Sequence, residues 1–518
     1  MHRSISAFLF LLLISCGFTA CKNRHNGTRA TKLEDLKEWI VSTYNIDGER
    51  LREEIRHTAE VTRTPMYADK FTRSYYKNES SPLIWITRMG VSPNADTLLN
   101  CIRQAEDIGL HPEALHTDTL GQMLRRMHEY DFSHEDASSL MGRMEFLLTQ
   151  SLLRYVCGQR YGFTNPHQWL NHLLIDEPPA GEVRREVQYR QLYDQGSETA
   201  TDSFMHHALE ETRHGRIGQL LRSVQPTDTL YDLLHNAYRQ ARDNGDTVRA
   251  RLARINMERA RWRYPRPINK KRYVWVNLAT QELTAVNGDS MLTMRVCCGN
   301  QSHKTPLLHS EIRWVELNPY WVIPQTIVRK EIIPRHVGDS AYFARNSYRA
   351  INKETKEEID PTLLSAAELR SARYIIRQEN GEANSLGRII FRFPNNFSVF
   401  LHDTNNHSAF QRQNRAISHG CIRVERPLDM ALFFLNQPTE LFVDRIRIAL
   451  ERAPLSAAGR RYKQAYPDAK PMSNFFYDTP VPVWLDYWTL YPTPSGALQA
   501  HPDPYGYDIV IEKLLNDL

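Results

Sequence analysis

The period of the hydrophobic residues changes once along this 518-residue chain, near residue 272, and that change governs what it can fold into. Upstream, apolar residues recur at spacings of three and four. In "SPNADTLLNCIRQAEDIGLHP", Ser92 can cap a helix and Pro93 suits its first position. Leu98, Leu99, Ile102, Ala105 and Ile108 then make one stripe before Gly109 and Pro112 end it. Leu140, Met144, Leu147, Leu148, Leu152 and Tyr155 repeat the pattern, as does "RARLARINMERARWRYP" up to Pro265. Downstream, "RYVWVNL" and "QELTAV" alternate. Asn287–Gly288 then precedes "SMLTMRV", which predicts a hairpin. Further strands are expected at "EIRWVEL", "RIIFRF" and "FSVFLHD".

A chain of this length exceeds what one core can bury, so at least two domains are expected. The pattern predicts an α+β protein: a mainly helical N-terminal domain over 35–268 and a β-rich domain over 269–447. A charged, helix-like insert over about 326–384 interrupts the strands and reads as a lid subdomain. Residues 448–518, rich in Pro and Tyr, read as a tail packing on both domains.

Residues 1–21 stand apart. A basic start at His2 and Arg3 leads into an apolar run from Ala7 to Ile14, too short to span a bilayer, and then to "FTAC". This predicts a secretory signal ending at Cys21 with a tether over 22–34. The "FTAC" ending resembles the lipobox of bacterial lipoproteins, which implies lipidation of Cys21, a membrane anchor and a place on the periplasmic side of the envelope. The net charge of +5 is mild, and no dense Lys/Arg run argues for a nucleic-acid partner. The 7 cysteines are too scattered for a disulfide framework. Cys101, Cys157, Cys297 and Cys298 read as small buried hydrophobes.

Cys421 differs from those four. "RAISHGCIRVERP" sets Ser418, His419 and Gly420 directly before it and Arg423 two residues after, while "FLHDT" brings His402 and Asp403 from 19 positions upstream (421 − 402 = 19). A strand ending at His402 and a loop returning at Cys421 would put imidazole beside thiol. His402 could take the thiol proton, with a carbonyl or carboxylate fixing its tautomer. Backbone N–H groups near Gly420 and Cys421 could hold an oxyanion, and Arg423 could pair with a carboxylate. The same residues allow a structural cysteine in a tight turn. They also allow a metal site using His402, His407, His419 and Cys421, though no CxxC or HxxxH spacing supports one.

"FLHDT…RAISHGCIRVERP" resembles the signature of the L,D-transpeptidases, cysteine enzymes that remodel peptidoglycan. "RYVWVNLATQELTAV", "NSLGRIIFRFPNNFSVFLHDT" and the helical "RINMERARWRYP" are similar to the large multidomain periplasmic members and their scaffold domain. The resemblance implies Cys421 as nucleophile and His402 as general base, oriented by the backbone carbonyl of Asp403. It implies that Ser418, His419 and Gly420 shape the oxyanion site. Arg423 and Ser418 would contact the stem peptide, and Trp321 and Tyr320 would line the cleft. It also implies thioester chemistry without metal or cofactor, giving 3→3 crosslinks between stems. An envelope-protein lysine is a further conceivable acceptor. A carboxypeptidase using water, or a non-catalytic wall-binding lipoprotein, are the alternatives. Many relatives insert a small wall-binding module into the scaffold; the region around 176–250 lacks its Leu-Gln character, so that module is expected to be missing here.

Overall fold

The computed structural model describes residues 32–518 apart from 35–39, 42–45, 172–191 and positions 63, 65, 88, 268, 269, 372 and 494. The expected signal segment, Cys21 and most of the tether lie outside the described residues.

The helical region is built around one long helix, Ala137–Tyr161, capped by Asp136 accepting from the Ser139 N–H. It is buried on nearly every face, so its polar residues need partners inside the protein. Glu145 accepts from the backbone N–H groups of Ile84, Trp85 and Ile86 and from the Tyr76 hydroxyl. Arg154 grips Asp69 through two bonds of 2.8 and 2.9 Å, both side chains buried. The helix expected from Pro93 to Ile108 is shorter. It runs Asn94–Ile102, then tightens into a 3-10 turn over Ala105–Ile108, which Gly109 ends with φ +83°.

The β region forms one large sheet. In chain order its strands are β1 (Tyr193–Asp194), β2 (Arg272–Asn277), β3 (Glu282–Asn287), β4 (Ser290–Gly299), β5 (Leu307–Leu317), β6 (Ile389–Arg392), β7 (Leu401–His402), β8 (Ala416–Ser418), β9 (Ile422–Val424) and β10 (Asn474–Asp486). The hairpin at Asn287 is present: Asn287 pairs with Ser290, and Gly288 takes φ +64°. Pairing runs β6-β7-β9-β4-β3-β2-β10-β5, and β5 pairs back onto β6. Eight strands therefore close a circuit around a core that includes Val274, Val296, Ile312, Leu401, Ile422 and Val483. β1, contributed by the helical region, adds a parallel edge beside β5.

The C-terminal segment, expected to be a tail packing on both domains, supplies a strand of that circuit. β10 lies between β2 and β5, parallel to the first and antiparallel to the second. The helix that follows, Tyr507–Asn516, returns to the helical region, where Asp508 accepts from Arg259 Nη2 at 2.6 Å with both side chains buried. The insert is a body with its own core. Its strands run in the order Trp321–Val322, Tyr374–Gln378, Tyr348–Asn352, Glu358–Ile359. Val328, Ile332, Phe343, Ala350, Leu369 and Ile376 pack together beneath them. It opens at Trp321, a few residues before the expected boundary, because Trp321 pairs with Gln378 where the chain returns.

Candidate active site

β7 and β9 are parallel neighbours with Leu401 opposite Ile422 and His402 opposite Arg423. Leu401 and Ile422 are both fully buried and fill the core. Side chains alternate along a strand, so His402, Arg423 and the residue two before it, Cys421, share the other face. His402 and Cys421 are thus diagonal neighbours on that face. The Cys421 thiol is half-buried, and its sulfur lies 4.0 Å from the Ser398 carbonyl oxygen.

The loop entering Cys421 is folded by its own side chains. Gly420 has φ +113°, a backbone that residues with a Cβ rarely adopt. The Ser418 hydroxyl accepts from the Gly420 N–H at 3.2 Å and donates to the Cys421 carbonyl at 2.6 Å. Ser418, expected to contact substrate, is only 2% exposed; its hydroxyl is committed inside the loop, so it shapes the turn instead. For the same reason the Gly420 N–H, one of the expected oxyanion donors, already has an acceptor. The Gly420 carbonyl accepts from the Thr305 hydroxyl at 2.8 Å.

Burial disfavours the charged form of both His402 and Cys421. Burial holds His402 down at about 3, helped by the positive charges of Arg423 and Arg392 and opposed by the backbone of Asp403 and Leu386. Burial pushes the Cys421 thiol up to about 11, against the backbone of Phe400 and the charges of Arg392 and Arg423, which favour the thiolate. His402 Nδ1 is buried with no hydrogen-bond partner. An imidazole nitrogen without a partner retains the capacity to accept a proton. The Asp403 carboxylate is occupied elsewhere, accepting from the backbone N–H groups of Arg388 and Thr404, both at 2.8 Å. It braces the turn after β7, while the Asp403 backbone favours the protonated ring of His402.

Arg423 is half-buried on the Cys421 face, and its Nε is buried without a hydrogen-bond partner. His419 reaches out of the loop to the insert, where its Nε2 lies 2.7 Å from Glu331 Oε1. Tyr320 and Trp321 lie where the chain enters the insert: Tyr320 carries Arg377 over its ring at 4.4 Å, and Trp321 packs against the insert core. Among the described residues no cluster of three or more His, Cys, Asp or Glu could hold a metal ion. Sequence reasoning missed Arg392, Glu331 and Thr305. Arg392, lying over the Phe400 ring at 4.5 Å, had a faint signal as a lone charge inside the apolar run "RIIFRF". Glu331 sits in a π-helical turn, Val328–Ile332, which only the fold reveals.

Comparison with known proteins agrees with this geometry. Residues 271–443 match the model of the L,D-transpeptidase catalytic domain, and residues 70–237 match that of the scaffold domain. Cys421, His402 and the whole insert fall within the first match. A Haemophilus influenzae protein named "Putative L,D-transpeptidase" is 27% identical over 237 residues, covering 45% of this chain and 44% of that protein. The chain thus matches less than half the length of that relative.

Proposed function

We propose, from a chain that carries the L,D-transpeptidase catalytic domain joined to a scaffold domain, that it crosslinks peptidoglycan stem peptides by cysteine acyl transfer. The observation that carries this reading is the β7–β9 pairing, which gives His402 and Cys421 one shared face with Arg423 beside them. Cys421 gives its proton to His402 and attacks the carbonyl between the third-position diamino acid and the fourth-position D-alanine of a donor stem. The D-alanine nitrogen leaves with a proton from the imidazolium, and a thioester remains. The side-chain amine of a second stem then attacks the thioester, forming a 3→3 crosslink and restoring the thiol. The bond energy stays in the thioester, so the exchange needs no nucleotide. Arg423, on the same face, would supply positive charge to a stem carboxylate.

Burial disfavours the charged form of both partners, so substrate binding and the charges of Arg423 and Arg392 would have to favour the thiolate for attack. The insert supports a cover over the reaction, because His419 of the nucleophile loop touches it through Glu331. Such a cover would shield the thioester from water yet admit a second stem. The "FTAC" motif further supports a lipoprotein anchored through Cys21 on the periplasmic side of the envelope.

The test is incubation with tetrapeptide-bearing muropeptides followed by mass spectrometry. Crosslinked dimers that have lost one D-alanine are expected from the parent, and none from Cys421→Ala or His402→Ala. Free tripeptide stems alone would mean that water is the acceptor, and no change in any stem would overturn the reading. Protein extracted from membranes should begin at Cys21 and carry acyl mass; any other N-terminus defeats the anchor.

A further inference from the structure

In the proposed acyl transfer, negative charge develops on the carbonyl oxygen under attack, so a donor aimed at that oxygen is needed as much as the thiol. Two backbone N–H groups flank the attack point. The Gly420 N–H donates to Ser418 Oγ. The other is the N–H of Cys421 itself, and its direction is tied to the Gly420 carbonyl. Across a trans peptide bond the two groups lie in one plane and point opposite ways. Whatever holds the Gly420 carbonyl therefore aims the Cys421 N–H.

That carbonyl is held by Thr305 Oγ1 at 2.8 Å, and Thr305 is fully buried. The same hydroxyl oxygen accepts from the Gly299 N–H at 2.8 Å. The Thr305 N–H donates to the Tyr505 hydroxyl at 3.1 Å, and Tyr505 donates onward to the Gly299 carbonyl at 2.8 Å. Tyr505 lies 200 residues downstream, in the C-terminal segment. Its ring stacks on Tyr487 at 5.5 Å, its N–H donates to the Tyr487 hydroxyl at 2.9 Å, and Lys304 Nζ donates to its carbonyl at 2.7 Å. The turn between Gly299 and Thr305 is tight enough that a Cβ on Gly299 would meet the His303 carbonyl at 2.0 Å. One phenol thus clamps the two ends of this turn, and the turn presents the Thr305 hydroxyl to the nucleophile loop.

We propose that Thr305, set in place by Tyr505, is a positioning residue that aims the Cys421 N–H at the developing oxyanion. This rests on the cysteine acyl-transfer reading. When sulfur bonds to the carbonyl carbon, the π pair moves onto oxygen, and the Cys421 N–H donates to it. As the tetrahedral intermediate collapses, the pair returns and the amine departs with the imidazolium proton. Neither Thr305 nor Tyr505 exchanges a proton.

Two reactions of the same sulfur separate positioning from bulk structure. Acylation by a carbapenem-type β-lactam passes through an oxyanion, whereas alkylation by iodoacetamide is a direct displacement and forms none. Thr305→Val should slow acylation about 10-fold or more, less than the ~100-fold typical of losing an oxyanion donor outright, while alkylation stays within about twofold. Thr305→Ser should restore acylation. Tyr505→Phe keeps the stacked ring and should give a smaller loss, about threefold, again in acylation alone; it also serves if Thr305→Val folds poorly. An unchanged ratio of the two rates in Thr305→Val and Tyr505→Phe overturns the proposal, as does a parallel fall in both. A parent that is alkylated but never acylated would instead overturn the function on which it rests.

Discussion

The insert and the C-terminal segment both read in the sequence as additions to the β domain, yet they are attached in opposite ways. The insert has its own apolar core, from Ile323 to Ile376, and its own four-stranded sheet. Chain enters and leaves it through one antiparallel pair, Trp321 with Gln378 and Val322 with Arg377. The C-terminal segment has no separate core. Val481, Val483 and Leu485 are fully buried inside the main sheet, and Tyr507, Ile511 and Leu515 are buried in the same cluster. A piece with a private core can move as a unit without disturbing its host. A piece woven into another core can transmit position to it, as the Tyr505 clamp illustrates.

The largest expected effect follows from that contrast. Deleting residues 474–518 removes β10 and opens the circuit, leaving β2 and β5 each short of one neighbour, so no cooperative unfolding transition should remain. Replacing residues 323–376 by a two-residue Asn-Gly turn should leave the transition intact, because Val322 and Arg377 already face each other across an antiparallel pair. Circular dichroism melts of the two deletions decide the matter. Two intact transitions, or two lost ones, would erase the distinction.

A smaller effect lies in the buried strand pair itself and is read by pH. His402 sits near 3 when folded and returns to its ordinary value near 6.5 when unfolded. Between those values the unfolded chain binds a proton that the folded one refuses, so stability is full above about pH 6.5 and falls as pH drops. The urea midpoint of the parent should decline from pH 7 to pH 4 more steeply than that of His402→Gln. In the unliganded parent, iodoacetamide alkylation of Cys421 should keep rising with pH toward about 11. A plateau by pH 8 would mean a thiolate already paired at rest. The site responds this way because it belongs to the main core.

What was legible in the sequence follows the same division between local and distant. The change of period, the Asn287 hairpin and the His402–Cys421 pair depend on residues close in the chain, or on one strand and one loop. β10 was not legible. Its alternation at Val481, Val483 and Leu485 is broken by Pro480 and Pro482, which read as a loop. The sheet accommodates them with a register shift between Phe476 and Val481. Its partner Val274 pairs with Val483 across 209 positions (483 − 274 = 209), which no local pattern encodes. Ser418 shows the same limit: motif position says that a residue is near the sulfur, but only the fold says that its hydroxyl turns into the loop. Thr305 carries no motif at all, and its importance appears only when Gly299, Gly420 and Tyr505 meet around it.

The smallest expected effect concerns the contact between the insert and the nucleophile loop. His419 and Glu331 are 42% and 47% exposed, so their pairing should contribute less than about 1 kcal/mol, screened by salt. Glu331→Gln should therefore leave the melting transition unchanged. A contact this weak can still set how often the insert parts from the loop, because 1 kcal/mol alters a two-state population about fivefold. Amide exchange across residues 323–376 should rise in Glu331→Gln, together with an increase of about twofold in Cys421 alkylation as access to the sulfur widens. Raising the salt concentration should bring the parent toward the variant. Exchange and alkylation both matching the parent at low salt would mean that the insert is held by its strand pair alone. In that case the His419–Glu331 contact is a consequence of closure and not a cause.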